Sequence, residues 1–274
     1  MRCLYSNIVP DVKDYRGNPV YSGCGHCFAC RLSLQSSLVS RMFCAWKSHS
    51  SSSFVTFTYS DEHLYFPPLN SNPSLSKDDV HKYLDKLRHF LKGYKFEYFL
   101  CGEYGDSFGR PHYHAIFFGL DYEKYSKLFK SSWKKGMVKV LPVTSQSFRY
   151  VSKYLTCSSN RNGYFDLGIE PPFYKMSRAL GLSFYLKHLK EIRDDGYFSV
   201  GSRRIYPNKY YFNKLVQLNT DLIDIKDYQF DLRNLNLLRE AKYFNADYPS
   251  YEFNKAESFE KNHLSTFLNN KSKI

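Results

Sequence analysis

The chain has 274 residues, 43% of them hydrophobic and 18% aromatic, which is enough for one full core with a small satellite module and excludes a disordered polymer. Its formal net charge of +13 points to a polyanionic partner, above all nucleic acid, and its 25 tyrosines and 23 phenylalanines suit stacking on unpaired bases as well as core packing. No apolar run is long enough to cross a bilayer, and the N-terminal MRCLYSNIVPD lacks the apolar centre of a signal peptide. The chain is therefore expected in a reducing cytoplasm, with no membrane partner, and its seven cysteines are expected as thiols or metal ligands rather than disulfides.

Residues 1–30 read as irregular, with Pro10, Gly17, Pro19, Gly23 and Gly25 scattered among Cys3, Cys24, Cys27 and Cys30. Cys24-Gly-His-Cys27-Phe-Ala-Cys30 is a double Cys-x-x-Cys. Two thiolates so spaced around a glycine form a zinc knuckle, and either Cys3 or His26 would complete a tetrahedron. A structural Zn2+ would staple a segment too poor in apolar residues to fold by itself. From Arg31 to Lys47 the spacing of Leu34, Leu38, Met42 and Ala45 predicts an amphipathic helix, made positive by Arg31, Arg41 and Lys47. Ser48–Ser53 reads as a linker, and Phe54–Tyr59 (FVTFTY) as a strand rich in β-branched and aromatic residues. Asp61, Glu62 and His63 follow it, then a loop over Pro67–Pro73. Ser76 with Asp78 and Asp79 caps a helix that runs to about Leu91 through Val80, Leu84 and Leu87.

Phe99–Gly119 (FLCGEYGDSFGRPHYHAIFFG) is the stretch on which the chemistry turns. Its outer parts alternate like strands and Gly105–Pro111 is turn material, which predicts a β-hairpin. His112 and His114, two residues apart on one strand, then project from the same face, and Glu103 ends the incoming strand within roughly 5 Å of a cross-strand neighbour. Two imidazoles and a carboxylate on one face form a divalent-metal site with open coordination positions, the arrangement of catalysis rather than of structural binding. Asp106 and Glu62 are alternatives to Glu103 as the carboxylate.

Beyond the hairpin, Tyr122–Trp133 is expected to be helical and Met137–Val143 a strand. Ser145–Cys157 is expected as a short helix, Ser158–Pro172 as a loop and Ser177–Asp194 as a helical region broken near Gly181. Tyr197–Tyr211 resembles a second hairpin. Asn213–Ile274 mixes Leu-containing helical stretches with Asn, Lys and Glu and ends in a loose tail. On the Ser145–Cys157 helix Tyr150 and Tyr154 stand one turn apart on one face, with Lys153 between them and Arg149 nearby. Beside a metal hairpin in so basic a protein, these tyrosines read as nucleophiles for DNA phosphodiesters. Holding a phenolate at pH 7 costs about 4 kcal/mol against a free pKa of about 10. A metal on His112, His114 and Glu103 would polarise the phosphate, and Lys153 would stabilise the phenolate or the phosphate.

His112-Tyr-His114 together with Tyr150-Val-Ser-Lys-Tyr154 resembles the HUH endonuclease superfamily, and Phe54–Tyr59 looks like its first replication-initiator motif. The match is closest to the replication initiators of the Microviridae, within them the gokushoviruses. The Cys24–Arg31 start, the Gly-Glu-Tyr-Gly…Arg-Pro-His-Tyr-His hairpin and the Met176–Gly181 segment recur there in this order, and the resemblance covers roughly residues 1–212. It implies an α+β fold with a central antiparallel sheet flanked by helices, the hairpin central and the tyrosine helix beside it. Three parts follow: a Cys-rich segment with a basic helix (1–48), an endonuclease domain (49–212) and a C-terminal helical region (213–274).

The implied activity is rolling-circle replication of a small single-stranded DNA phage in a bacterial host's cytoplasm. It proceeds by Mg2+- or Mn2+-dependent nicking of viral origin DNA, a covalent 5′-phosphotyrosine link and later ligation, alongside host helicase and polymerase. Tyr150 and Tyr154 match the paired nucleophiles, Lys153 the intervening lysine, and His112 and His114 the metal histidines. Two departures stand out: Cys157 where relatives often carry a lysine, and a tyrosine, Tyr113, as the spacer between the histidines. The competing assignments are a non-enzymatic zinc-knuckle DNA-binding protein and an HUH transposase or relaxase. A metal-dependent oxygenase has only the two histidines and a carboxylate in its favour.

Overall fold

A computed structural model of the chain describes residues 3, 5, 7–13, 19–68, 70–105, 109–157, 161–195, 197–201, 203–205, 210, 211 and 214. In chain order these form β1 (Asn7–Lys13), β2 (Pro19–Ser22), α1 (Phe28–Ser48), β3 (Ser52–Thr58), α2 (Lys77–Leu91), β4 (Glu97–Tyr104), β5 (Pro111–Phe118) and α3 (Ser126–Ser132). There follow β6 (Val138–Pro142), α4 (Ser145–Cys157), α5 (Arg161–Asp166), β7 (Phe173–Met176), α6 (Leu182–Lys187), α7 (Leu189–Asp195), β8 (Phe198–Val200) and β9 (Arg203–Ile205). The chain divides into two units, residues 1–37 with 189–274, and residues 38–188. The C-terminal region expected over 213–274 lies outside the described residues save Lys214.

The larger unit is built on a five-stranded antiparallel sheet in the order β6-β3-β5-β4-β7, with the predicted hairpin at its centre. Because successive strand residues face opposite ways, the sheet carries two apolar faces. Val55, Phe57, Leu100, Tyr113, Ala115 and Phe117 pack with Val80, Tyr83, Leu84 and Leu87 of α2 and with Phe129 and Trp133 at α3. Phe99, Cys101, Ile116 and Phe118 meet Leu38, Met42 and Ala45 of α1 and Phe148 and Val151 of α4. The expected α+β architecture, a sheet flanked by helices with the tyrosine helix beside the hairpin, is thus what the chain adopts. Among the described residues no helix is long and apolar enough to cross a membrane.

Several local expectations hold closely. Ser76 caps α2, its side chain accepting from the Asp79 N–H at 3.1 Å, and α4 spans the expected Ser145–Cys157. Others are corrected. Ser52 and Ser53 are not linker but the start of β3: Ser53 is buried and its hydroxyl donates to the Leu120 carbonyl, so a small polar side chain satisfies itself inside the sheet. The segment read as irregular before Cys24 contains the β1–β2 pair. Helix α3 starts only at Ser126, because Asp121 Oδ1 accepts from the N–H groups of Glu123 and Lys124 and holds that stretch in a turn. The loop read over Ser158–Pro172 contains α5. Strand β7, four residues with no alternation to reveal it, pairs with β4 and completes the sheet. In the smaller unit β8 and β9 pair as the predicted second hairpin, Val200 opposite Arg203.

Candidate metal and nucleophile site

The register of the hairpin sets Glu103 opposite His112 and Cys101 opposite His114, while β3 brings Thr56 opposite His114 and Thr58 opposite His112. Glu103, His112 and His114 therefore share the face that also carries Phe99, Cys101, Ile116 and Phe118. Nε2 of each histidine lies 2.8 Å from Glu103 Oε1. Glu103 is 2% exposed and His114 4%, so the charge here is held almost without water. Of the three carboxylates considered, Glu103 joins the cluster. Glu62 lies exposed on a 3-10 turn outside it, and Asp106 is outside the described residues.

What surrounds the histidines fixes their chemistry. Nδ1 of His112 is 3.0 Å from the Arg110 carbonyl, which can only accept, so Nδ1 carries the proton and the neutral ring's lone pair sits on Nε2, facing the carboxylate. Nδ1 of His114 is 2.9 Å from the Thr56 hydroxyl, which can accept in the same way. Two lone-pair nitrogens and a carboxylate oxygen in mutual contact repel unless a proton or a cation lies among them. The other carboxylate oxygen, Oε2, is buried and accepts no hydrogen bond among the described residues. The three ligand atoms lie within 4.8 Å of one another. This donor set, with each ring's far nitrogen held by a backbone carbonyl or a hydroxyl, fits a divalent cation. Cys101, adjacent across the strands, is no ligand: burial, reinforced by the charge of Glu103, pushes its thiol up and keeps it neutral.

Helix α4 is anchored by buried Phe148 and Val151, which leaves Tyr150 on its flank, 43% exposed. The Tyr150 hydroxyl comes 3.4 Å from Nε2 of His114, and the two rings meet edge to face at 4.9 Å. Phe54 stacks on His114 at 5.8 Å and meets Tyr150 edge-on at 6.1 Å, so one β3 side chain braces both groups. Lys153 is exposed on the same helix. Tyr154 and Cys157 lie on it too, their side chains outside the described residues.

The polar spacer Tyr113 has its own explanation. It points to the opposite face, fully buried, where its hydroxyl lies 2.9 Å from that of Tyr59, donates to the Ser76 carbonyl and accepts from the Ser76 N–H. Tyr59 in turn donates to Asp79, which is ion-paired with Lys135 at 2.9 Å. The hairpin is thereby tied to the start of α2. Sequence reasoning missed three supporting residues: Thr56, Phe54 and Arg110, whose guanidinium pairs with Asp61 at 2.6 Å and donates to the Tyr59 carbonyl. Thr56 carried a signal, a polar residue at an alternate position of an otherwise apolar strand. Arg110 carried none.

The fold and this site define an α+β protein with a sheet-borne candidate metal centre and a tyrosine helix at its edge. Residues 52–159, which hold all of these groups, match the family model for replication-associated proteins of the ORF2 type. The chain is 30% identical over 187 residues to the replication-associated protein ORF2 of Spiroplasma virus 4, covering 62% of this chain and 58% of that protein. It is 24% identical over 247 residues to the replication-associated protein ORF4 of Chlamydia phage 1 (79% and 58%), and 28% over 152 residues to the replication-associated protein VP4 of Bdellovibrio phage phiMH2K (48% and 46%). The chain is a relative of these phage replication-associated proteins, and the resemblance to a gokushovirus-type initiator is borne out. It spans about half to three fifths of the length of the curated relatives it matches. No solved structure matches it.

Proposed function

We propose that the chain initiates phage replication by cutting one strand of viral origin DNA through a tyrosine nucleophile, as an HUH-type nickase and strand transferase. The observation that carries this is the approach of the Tyr150 hydroxyl to within 3.4 Å of His114 Nε2, at the rim of the Glu103–His112–His114 cluster. Tyr150 gives up its phenolic proton to solvent, which reaches the half-exposed hydroxyl. Its oxygen attacks the scissile phosphorus, the P–O3′ bond breaks, and the departing 3′ oxygen takes a proton. The phosphate remains joined to tyrosine at its 5′ side, so one ester replaces another and a later 3′-OH can reverse the exchange. Glu103, His112 and His114 would hold a Mg2+ or Mn2+ ion that withdraws charge from the phosphate, and the two imidazoles favour manganese.

Lys153 supplies a cation one turn from either tyrosine, and Tyr154, one turn along α4, acts as the second nucleophile on a new junction while Tyr150 holds the first strand. The net charge of +13 provides the sequence-independent grip on DNA, and host helicase and polymerase extend the freed 3′ end in the bacterial cytoplasm. The test is covalent capture on supercoiled replicative-form DNA in detergent, with Mg2+ or Mn2+. An adduct is expected from the unaltered chain, reduced in Tyr150→Phe and absent when Tyr154→Phe is added. A protein that binds this DNA and forms no adduct with either metal would instead be a DNA-binding module.

A further inference from the structure

We propose that Cys3, Cys24, Cys27 and Cys30 hold a structural zinc ion as a closed tetrathiolate, with Cys3 and not His26 as the fourth ligand. All four belong to the smaller unit, and their sulfurs lie within 4.8 Å of one another. Cys3 and Cys27 Sγ are 3.6 Å apart. A disulfide would bring them to about 2.05 Å, whereas two sulfurs bound to one zinc at about 2.3 Å stand about 3.8 Å apart. The observed separation is that of a shared tetrahedron. His26 is exposed and its ring is not in the cluster.

Backbone amides converge on the same sulfurs. Cys24 N–H points at Cys3 Sγ at 3.3 Å, His26 and Cys27 N–H at Cys24 Sγ at 3.4 and 3.3 Å, and Cys30 N–H at Cys27 Sγ at 3.5 Å. Amide donors of this kind stabilise sulfur in the anionic form in which it binds metal. Two glycines shape the turn. Gly25 takes φ +78°, the left-handed conformation that carries the chain between Cys24 and Cys27. At Gly23 any Cβ would lie 2.7 Å from Cys30 Sγ, so only glycine lets the backbone pass this close to the sulfur. The exit of the knuckle is the start of α1, where Arg31 N–H donates to the Cys27 carbonyl at 3.0 Å.

The architecture gives the ion a task. Cys3 and Cys24 are 21 positions apart and the β1–β2 pair lies between them. A two-stranded pair alone is marginal in water, and a metal clip that closes such a loop removes conformational freedom from the unfolded chain and converts binding energy into folding energy. Zinc therefore fixes the N-terminal residues and the β1–β2 pair to the head of α1.

The test uses the full chain purified without chelator. Elemental analysis is expected to give about one zinc per chain, and a mercurial thiol reagent should release it in step with four thiols. Cobalt exchanged into the chain should show the d–d bands of a tetrahedral centre and strong sulfur-to-metal charge transfer. Cys3→Ser should weaken the charge transfer and His26→Ala should leave it unchanged. Zinc should stay bound in the His112→Ala/His114→Ala variant and be lost in Cys27→Ser. If Cys27→Ser does not fold, thiol-coupled release and the cobalt spectrum of the unaltered chain decide. Zinc-free protein that folds with four freely titrating thiols would overturn the proposal, as would zinc that departs with the two histidines.

Discussion

Two clusters of metal-ligating side chains lie in this molecule, and they are built on opposite plans. Glu103, His112 and His114 project from adjacent strands in the middle of a five-stranded sheet, on a scaffold set by apolar packing on both faces. The four cysteines sit on a turn and a near-terminal residue with little core beneath them. The sheet exists first and offers a site with open positions. The knuckle needs its ion to exist. One is shaped for exchange of ligands and substrate, the other for closure, and the donor types follow: imidazole and carboxylate for an accessible hard-to-borderline cation, thiolates for zinc.

Substitutions can break that contrast or sharpen it. The largest effect is expected from His112→Ala or His114→Ala: DNA nicking in a gel assay should fall at least about a hundredfold, while salt-sensitive DNA binding and thermal unfolding change little. Unfolding of the histidine variants would show that the sheet, like the knuckle, leans on its ligands. Phe117→Ala, in the core behind the site, should cost about 3–5 kcal/mol in denaturant unfolding and leave zinc content intact. Thr56→Val, which removes the oxygen 2.9 Å from His114 Nδ1, should weaken manganese affinity about tenfold in calorimetry with the fold preserved. The smallest effect is expected from Tyr113→Phe. Loss of its hydroxyl from the Tyr59 and Ser76 contacts should lower stability by about 1–2 kcal/mol and leave nicking within a few-fold.

The site was more legible than its surroundings for a physical reason. His112, His114 and Glu103 follow from strand alternation and one tight turn, which are local rules, and α2 and α4 follow from capping and helical spacing. Strand β7 is placed by pairing with β4, a partner about seventy residues away, and nothing in Phe173–Met176 announces it. Ser52 and Ser53 carry the composition of a linker and are held in β3 by partners on β5 and by Leu120. Thr56 and Phe54 reach the site only because β3 lies beside β5, a tertiary fact. The choice between Cys3 and His26 is likewise open in the spacing and rests on the positions of the sulfurs.

The hairpin register has a consequence for how this sequence can change in length. Side chains on a strand obey parity: an odd insertion between Pro111 and His114 would turn an imidazole to the α2 side of the sheet and Tyr113 toward α4. An even insertion would keep the faces and still trade His112's partner. Residues added between Gly105 and Arg110, before the carbonyl that orients His112, alter neither parity nor partner. Chain length is thus free to drift in the turn and is frozen, to the residue, in the strand that leaves it.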